Sequence, residues 1–210
     1  MRNVARPAPI AAVATLCAAA PALAQEPSDG ADGRLTRDTA LHLQLGAGPC
    51  SGPSTAAAAR LSVLHLQTAG AYVSFSRSLT KHARPLADAM SLGTELRPLF
   101  LPRFLSDLER GPAWVDLALD SLTLSFGAAF DIHADVLGAP AFEAGLGVGL
   151  PLAARADGPW LGAHAMRRWP AARLGRQADA EPAMDLLVFA LGWQLPVSTG
   201  LVSRKAQPAW

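Results

Sequence analysis

The chain has 210 residues, of which 50% are hydrophobic and 17% charged, and its mean hydropathy is +0.22. This composition excludes general disorder, because such a chain buries enough apolar surface to fold, and the length suits one domain or two small ones. The 18 basic and 17 acidic residues nearly cancel. No Lys/Arg stripe occurs that would follow a phosphate backbone, so the class of nucleic-acid binders is excluded as well.

The first 24 residues have the three parts of a secretory signal peptide. Arg2 and Arg6 give a positive start, residues 10–20 are apolar, and residues 22–24 form a small-x-small exit. We therefore expect export, with cleavage after Ala24. Cleavage leaves Cys50 as a lone cysteine, which provides neither a disulfide framework nor a metal-ligand set.

Most of the remaining chain alternates apolar residues with small or polar ones at a period of two. In the clearest segment, residues 142–150, every even position is apolar and every odd position is Glu or Gly. Such alternation places the two sets on opposite faces of a β-strand. A bulge is expected at Val63 and Leu64, where two apolar residues are adjacent. About eight strands are predicted, around residues 41–48, 61–67, 71–76, 90–97, 122–127, 142–150, 160–168 and 187–195.

The connections between these predicted strands alternate in length. Residues 68–70 and 155–158 are expected to be tight turns. The longer connections are residues 48–54, 78–87, 131–140 and 170–182. If both termini lie at one end of the sheet, the tight turns fall at that end and the longer loops at the other. Short turns on one side, longer loops on the other and an even number of strands are typical of transmembrane β-barrels.

One connection, residues 98–120, does not fit this alternation. Within it, residues 102–110 begin with proline and stop before Gly111, which predicts a short amphipathic helix. Such a helix lies in the lipid interface at the rim of a barrel or plugs its mouth. A helix packed on a soluble core has the same pattern.

Together, the signal peptide, the Gly-alternating strands and the loop asymmetry resemble small outer-membrane β-barrel proteins of Gram-negative bacteria. The resemblance implies an all-β fold, a closed antiparallel up-and-down barrel of about eight strands with a helical insert between strands 4 and 5. It implies an outer-membrane location, with outer-membrane lipid and the barrel-assembly machinery as partners. The expected organisation is a signal peptide at 1–24, a flexible segment at 25–38, the barrel at 39–197 and a tail at 198–210.

Some barrels that this chain resembles are lipid A deacylases, which place a histidine and a serine two residues apart on one strand. No His-x-Ser occurs in this sequence. His133, between Asp131 and Asp135, is interpreted as part of a solvated acidic loop and not as a catalytic or metal site. Asp116 and Asp120, together with Ser121, are interpreted as turn and cap residues.

Polar residues at alternating positions are expected to face the barrel interior. They are His42, Gln44, Glu95, Arg97, Glu143, His164 and Gln194. An eight-stranded barrel is just wide enough for side chains to fill it, so these residues are interpreted as interior filling, with Glu95 or Glu143 paired with Arg97. The glycines at 145, 147 and 149 leave room for bulky neighbours.

We therefore predict an outer-membrane barrel with a structural or surface-interaction role, a narrow packed interior, no catalysis, and no catalytic, cofactor or metal residues. One alternative is a lipid-modifying hydrolase on the same barrel, with a Ser/His pair near the external rim, for instance His133 with a loop serine. The other is a soluble periplasmic barrel that binds an apolar ligand. That barrel requires Leu146 and Leu191 inside and Glu143 outside. The glycines favour the membrane orientation, because a soluble barrel needs charged residues at its water-facing positions.

Overall fold

The computed structural model describes residues 37–52, 54–80, 86–106, 108, 111–132, 140–174 and 182–199. Within these residues, eight antiparallel strands follow one another in sequence order, and the last pairs with the first to close a barrel. This confirms the predicted fold class. The predicted signal peptide, nearly all of the predicted N-terminal segment, and the tail from residue 200 lie outside the described residues.

The strands have the following bounds. They are β1 (Thr39–Cys50), β2 (Ser54–His65), β3 (Ala69–Ser78), β4 (Ala89–Leu96), β5 (Thr123–Asp131), β6 (Pro140–Pro151), β7 (Gly158–Pro170) and β8 (Met184–Val197). Three short helices lie in the described connections. They are α1 (Phe100–Leu105) and α2 (Ala113–Asp120), both between β4 and β5, and α3 (Ala171–Leu174) after β7.

The predicted helical insert between the fourth and fifth strands is confirmed, but its internal boundaries differ. The predicted helix at 102–110 is shorter and earlier, since α1 covers Phe100–Leu105. Pro102 occupies the third helical position, where its missing N–H removes no intrahelical hydrogen bond. The second helix, α2, was not predicted. It begins after Pro112, whose extended backbone starts the helix without a side-chain cap.

Two local features of the second strand differ from the prediction. The register of β1 and β2 runs unbroken from Thr39–His65 to Cys50–Ser54, so the predicted bulge at Val63 and Leu64 is wrong. Leu64 simply points into the barrel, where it is fully buried. The same register shortens the predicted loop at 48–54 to residues 51–53. The loops at the end opposite the termini are therefore long in three of four cases.

The barrel is apolar outside and polar inside. Along β8, exposed and buried residues alternate from Met184 to Leu195, and the exposed face carries five large apolar residues, which are Leu187, Phe189, Leu191, Trp193 and Leu195. Leu146 and Leu191 are 55% and 56% exposed, whereas Glu143 is fully buried. The orientation required by the soluble, ligand-binding alternative is therefore wrong. No helix in the described parts of the chain is long and apolar enough to cross a membrane.

The two ends of the barrel are closed by different elements. At the end opposite the termini, Leu86 and Ala87 precede β4 and join a buried apolar cluster with Met166, Met184 and Leu186. At the end that holds the termini, α2 packs against β6. There Leu117 forms a buried cluster with Ala156 and Trp160. Charged and polar side chains fill the space between these two caps.

Candidate functional site

Glu143 and Arg168 form the best-satisfied ion pair of the interior. The two residues are direct partners in the β6–β7 ladder, and both side chains are almost completely buried. Arg168 Nε donates to Glu143 Oε2 at 2.7 Å. The hydroxyls of Tyr72 and Ser91 donate to the same carboxylate at 2.7 and 2.8 Å. Three donors thus replace the water that this carboxylate loses on burial.

Arg168 also links the barrel wall to the segment that closes one end. Its Nη1 donates to Ser76 Oγ at 2.8 Å and to the carbonyl oxygen of Leu86 at 2.6 Å. The amide of Leu86 donates in turn to Asp131 Oδ2 at 3.3 Å. Leu86 has a φ of 66°, a conformation that is unfavourable for leucine, so these bonds hold it there. The cap at this end is therefore tied to the buried ion pair.

A second buried pair, Arg60 and Glu95, lies closer to the chain termini. Arg60 Nη2 donates to Glu95 Oε2 at 2.8 Å, and Ser62 Oγ donates to the same oxygen at 2.7 Å. The guanidinium of Arg60 lies 3.7 Å from the centre of the Tyr72 ring. Because Tyr72 also binds Glu143, the two ion pairs share one aromatic side chain. They form a continuous network across the barrel.

The predicted partner of Arg97 is wrong. Glu95 pairs with Arg60 and Glu143 pairs with Arg168, whereas Arg97 Nη1 donates to Gln67 Oε1 at 3.0 Å. Gln194 Nε2 donates to the same Gln67 oxygen at 3.2 Å. Arg97 comes after the last residue of β4, so its side chain reaches the turn between β2 and β3. Arg97 and the two glutamines tie this turn to β8.

Two histidines occupy the same part of the interior, in space left by glycines. His42 Nε2 and Gln44 Nε2 are 3.4 Å apart, so the amide N–H donates to the ring nitrogen. A Cβ at Gly192 would lie 2.8 Å from His42 Nε2, and a Cβ at Gly147 would lie 2.5 Å from Nδ1 of His164. The expectation that inward glycines make room for bulky neighbours is confirmed at Gly147, and Gly192 has the same role although it was not predicted.

The free space inside the barrel is very small. One void of about 20 Å³ is lined by Arg60, Ser74 and His164, among others, and a second of about 10 Å³ lies beside His42. Each void has room for about one water molecule, and neither is large enough for a substrate. Within the described residues, Arg60 Nη1, Ser74 Oγ and His164 Nε2 have no hydrogen-bond partner. All three residues border the larger void.

Asp116 and Asp120, interpreted from sequence as cap residues, bind one arginine. Arg103 Nη1 donates to Asp120 Oδ1 at 2.6 Å, and Arg103 Nη2 donates to Asp116 Oδ1. Asp116 Oδ2 accepts the amide of Gly111 at 2.9 Å. Partial burial opposes the charge on Arg103, but the hydrogen bonds that it donates to both carboxylates raise the pKa of this guanidinium above its ordinary value. The three charged residues clamp α1 to α2.

Ser121 follows α2 and fixes this helix to the barrel. Its Oγ accepts the amide of Gly149 at 2.7 Å and lies 2.6 Å from the carbonyl oxygen of Ala118. The serine therefore satisfies backbone groups at the helix end and at the end of β6. This is the turn and cap role expected from the sequence.

Two arginines that organise the interior were not predicted from the sequence. Arg60 and Arg168 stand at inward positions of their strands, but neither was named among the interior residues. The signal was available in the alternation, since Arg60 lies between Ala59 and Leu61. His133 and Asp135 lie outside the described residues. In the described parts of the chain, no group of three or more His, Cys, Asp or Glu residues is arranged to hold a metal ion.

Comparison with protein-family models gives no match, and no curated protein matches. Two solved structures are similar. One is the de novo designed TMB2.3, with 10% identity over 77% of this chain and 98% of that chain and a TM-score of 0.43. The other is the outer membrane enzyme PagL, with 14% identity over 75% of this chain and 99% of that chain and a TM-score of 0.37. Neither likeness says what this chain does.

Proposed function

We propose that this protein is a β-barrel of the Gram-negative outer membrane with a structural or surface-interaction role and no catalytic activity. The observation that carries the proposal is the distribution of polarity. Buried positions of the barrel hold two arginine–glutamate pairs, whereas each of the eight strands carries at least one exposed leucine, valine, phenylalanine or tryptophan on its outer face. Exposed charged residues on the strands, namely Arg77, Arg167 and Asp185, lie near the end opposite the termini. Lipid is the solvent that suits such a surface.

The physical argument rests on what water and lipid each demand. A continuous exposed apolar surface around a whole barrel is far larger than the patches that soluble monomers tolerate. In hydrocarbon, the same surface is in its preferred solvent, and a closed barrel leaves no strand edge with unpaired N–H and C=O groups. Most strands have 9 to 14 residues, which is enough to cross a bilayer when tilted.

The interior supports a structural role over transport. A channel needs continuous space along its axis, whereas the two voids described inside this barrel measure only about 20 and 10 Å³. The barrel is closed at one end by Leu86 and Ala87 and at the other by Leu117 of α2 with Trp160. Contacts with partners are then made by the loops at the end opposite the termini. Outer-membrane lipid and, during insertion, the barrel-assembly machinery are the partners we propose.

A lipid-modifying hydrolase on the same barrel is the alternative from another class. It requires a serine hydroxyl within hydrogen-bond distance of a histidine near the external rim. Among the described histidines, His42 and His164 are inside the barrel and His65 lies at the end that holds the termini. The alternative thus depends on His82 or His133, which lie outside the described residues. A test of lipid A acylation on overexpression distinguishes it: a changed acyl pattern favours the hydrolase.

The test of the proposed function is cell fractionation followed by gel mobility. The protein is expressed in a Gram-negative host, and the outer-membrane fraction is run unheated and boiled. We expect the protein in that fraction, with a mobility that changes only after boiling, because a closed barrel resists detergent. Recovery as a soluble periplasmic monomer, with the same mobility before and after boiling, would overturn the proposal.

A further inference from the structure

The helix α2 is amphipathic, but its polar side faces the protein and its apolar side faces outward, the reverse of a helix on a water-exposed surface. Its buried residues are Asp116, Leu117 and Asp120, whereas Trp114 is 53% exposed and Leu119 is also exposed. A helix that faces water turns its carboxylates outward and its large apolar residues inward. In α2 two carboxylates point in, and a tryptophan and a leucine point out. The strands of the barrel show the same reversal.

The neighbouring segment has the same polarity. Leu105 in α1 is 77% exposed, and Leu101 and Leu108 are exposed as well. Arg103, the charged residue of α1, is turned inward and is mostly buried against Asp116 and Asp120. The outer side of the two helices therefore presents a set of large apolar residues, which we name the rim patch. It consists of Leu101, Leu105, Leu108, Trp114 and Leu119.

The rim patch is held in place by the barrel. The Arg103 clamp joins the two helices, and Ser121 joins the end of α2 to Gly149 of β6. Leu117 packs on Trp160 inside the barrel end. The inner side of α2 is thus fixed by an ion pair, hydrogen bonds and apolar packing. Its outer side cannot turn inward to hide its leucines without breaking these contacts.

The patch adjoins the apolar outer face of the barrel. The two helices connect the end of β4 to the start of β5, and α2 packs against the end of β6. At this same end, Leu96, Leu150 and Leu152 are exposed on the outside of the barrel. The apolar surface that we assign to lipid therefore extends from the strands towards the rim helices. Tryptophan is the residue type that favours the boundary between headgroups and acyl chains.

We propose that the rim patch inserts into the headgroup–acyl boundary of the membrane leaflet at the end that holds the chain termini. α1 and α2 then have two roles: their inner side closes the barrel, and their outer side anchors it at a fixed depth in a phospholipid leaflet. This inference rests on the proposed function. It assigns a partner, the phospholipid leaflet, to residues 98–120, the connection that does not fit the alternation of short turns and longer loops.

The experiment measures the depth of single labelled positions in the full chain folded into phosphatidylcholine vesicles. Both cysteines are first replaced by serine. An environment-sensitive fluorophore is then attached at Leu105→Cys in the patch, at Leu45→Cys on the outer face of β1, or at Arg155→Cys. Arg155 is the matched control, since it lies at the same end in a turn and its side chain is 60% exposed in an ion pair with Asp157. Folding of each variant is checked by the heat-dependent gel shift.

We expect labels at residues 45 and 105 to emit in the blue and to be quenched by nitroxide-labelled lipid, and the label at 155 to be quenched only by aqueous iodide. Lipid quenching at 45 without quenching at 105 would overturn this inference and leave the proposed function intact. Absence of lipid quenching at 45 would overturn the proposed function, and the inference with it. Equal lipid quenching at 155 and 105 would also overturn the inference. The whole rim would then be immersed in lipid, and the rim patch would not be the part that anchors the barrel.

Discussion

Arg168 and Glu143 face each other across the β6–β7 ladder, with Arg168 Nε 2.7 Å from Glu143 Oε2 inside the barrel. Because Arg168 also donates to the carbonyl oxygen of Leu86, this one side chain connects the barrel wall to the cap at the end opposite the termini. The pair therefore has a positional role in addition to its charge compensation. Removing either partner leaves the other charge buried and reduces the attachment of the cap.

The first prediction concerns this pair. Arg168→Met or Glu143→Gln is expected to destabilise the folded barrel by about 3–5 kcal/mol, because each leaves an uncompensated buried group. The double variant is expected to lose less than the two single variants combined. The measurement is urea-induced unfolding in vesicles, followed by tryptophan fluorescence.

The matched control for this pair is Arg155, which forms an exposed ion pair with Asp157. Arg155→Met is expected to change the free energy of unfolding by about 0–1 kcal/mol, because water screens an exposed pair. Equal losses for Arg155→Met and Arg168→Met, or strictly additive losses in the double variant, would contradict the coupling that the hydrogen bonds indicate.

The strand faces could be predicted because alternation is local to each strand. In β6 and β8 every outward apolar residue was assigned to the correct face. The same rule failed at Leu64, because the barrel interior becomes apolar near its ends and an inward leucine there looks like a break in the pattern. Ion-pair partners could not be predicted in this way. Arg60 and Glu95 lie on different strands, and their meeting depends on barrel closure and register.

The helix α2 was missed for a related reason. Its sequence, AWVDLALD, places Asp116 and Asp120 four residues apart, on the same side as Leu117. A search for helices that expects polar residues to face water does not select a segment whose carboxylates face inward. The partner of these carboxylates, Arg103, is 13 and 17 residues away in the chain. The clamp is visible only once both helices are placed.

The second prediction tests which solvent the outer face meets. Leu191 lies near the middle of β8 and is exposed, so Leu191→Arg is expected to destabilise the membrane-embedded barrel by about 2–4 kcal/mol. Leu195→Arg is the matched control, with the same change on the same face near the strand end, where the cost falls to about 0–1 kcal/mol. The measurement is the fraction of heat-shifted protein in vesicles over a urea series. If both variants fold as well as the parent chain, the outer face does not lie in hydrocarbon.

The third prediction concerns the space that Gly147 leaves for His164. An added Cβ at this glycine would lie 2.5 Å from the imidazole Nδ1, so Gly147→Ala forces the ring or the strand to move. We expect a loss of about 1–3 kcal/mol in the free energy of unfolding, as for other overpacked interiors. The loss should shrink in a His164→Ala background, where the ring is gone. Gly162→Ala is the control, because the nearest atom to its added Cβ is 3.3 Å away on the end of Gln44.

The fourth prediction concerns the Arg103 clamp, and it separates the helices from the barrel. Asp116→Asn and Asp120→Asn each weaken a charge-assisted hydrogen bond to Arg103, which is worth about 1.5–3 kcal/mol. Since proteolysis follows the population of the locally opened form, trypsin should cut after Arg103 at least about tenfold faster in either variant. The heat-dependent gel shift of the uncut barrel should remain, because the clamp lies outside the strands. Asp157→Asn, at the same end of the barrel, should leave cleavage after Arg103 unchanged. Unaltered cleavage in the Asp116 and Asp120 variants would mean that α1 is held by its apolar contacts and not by the clamp.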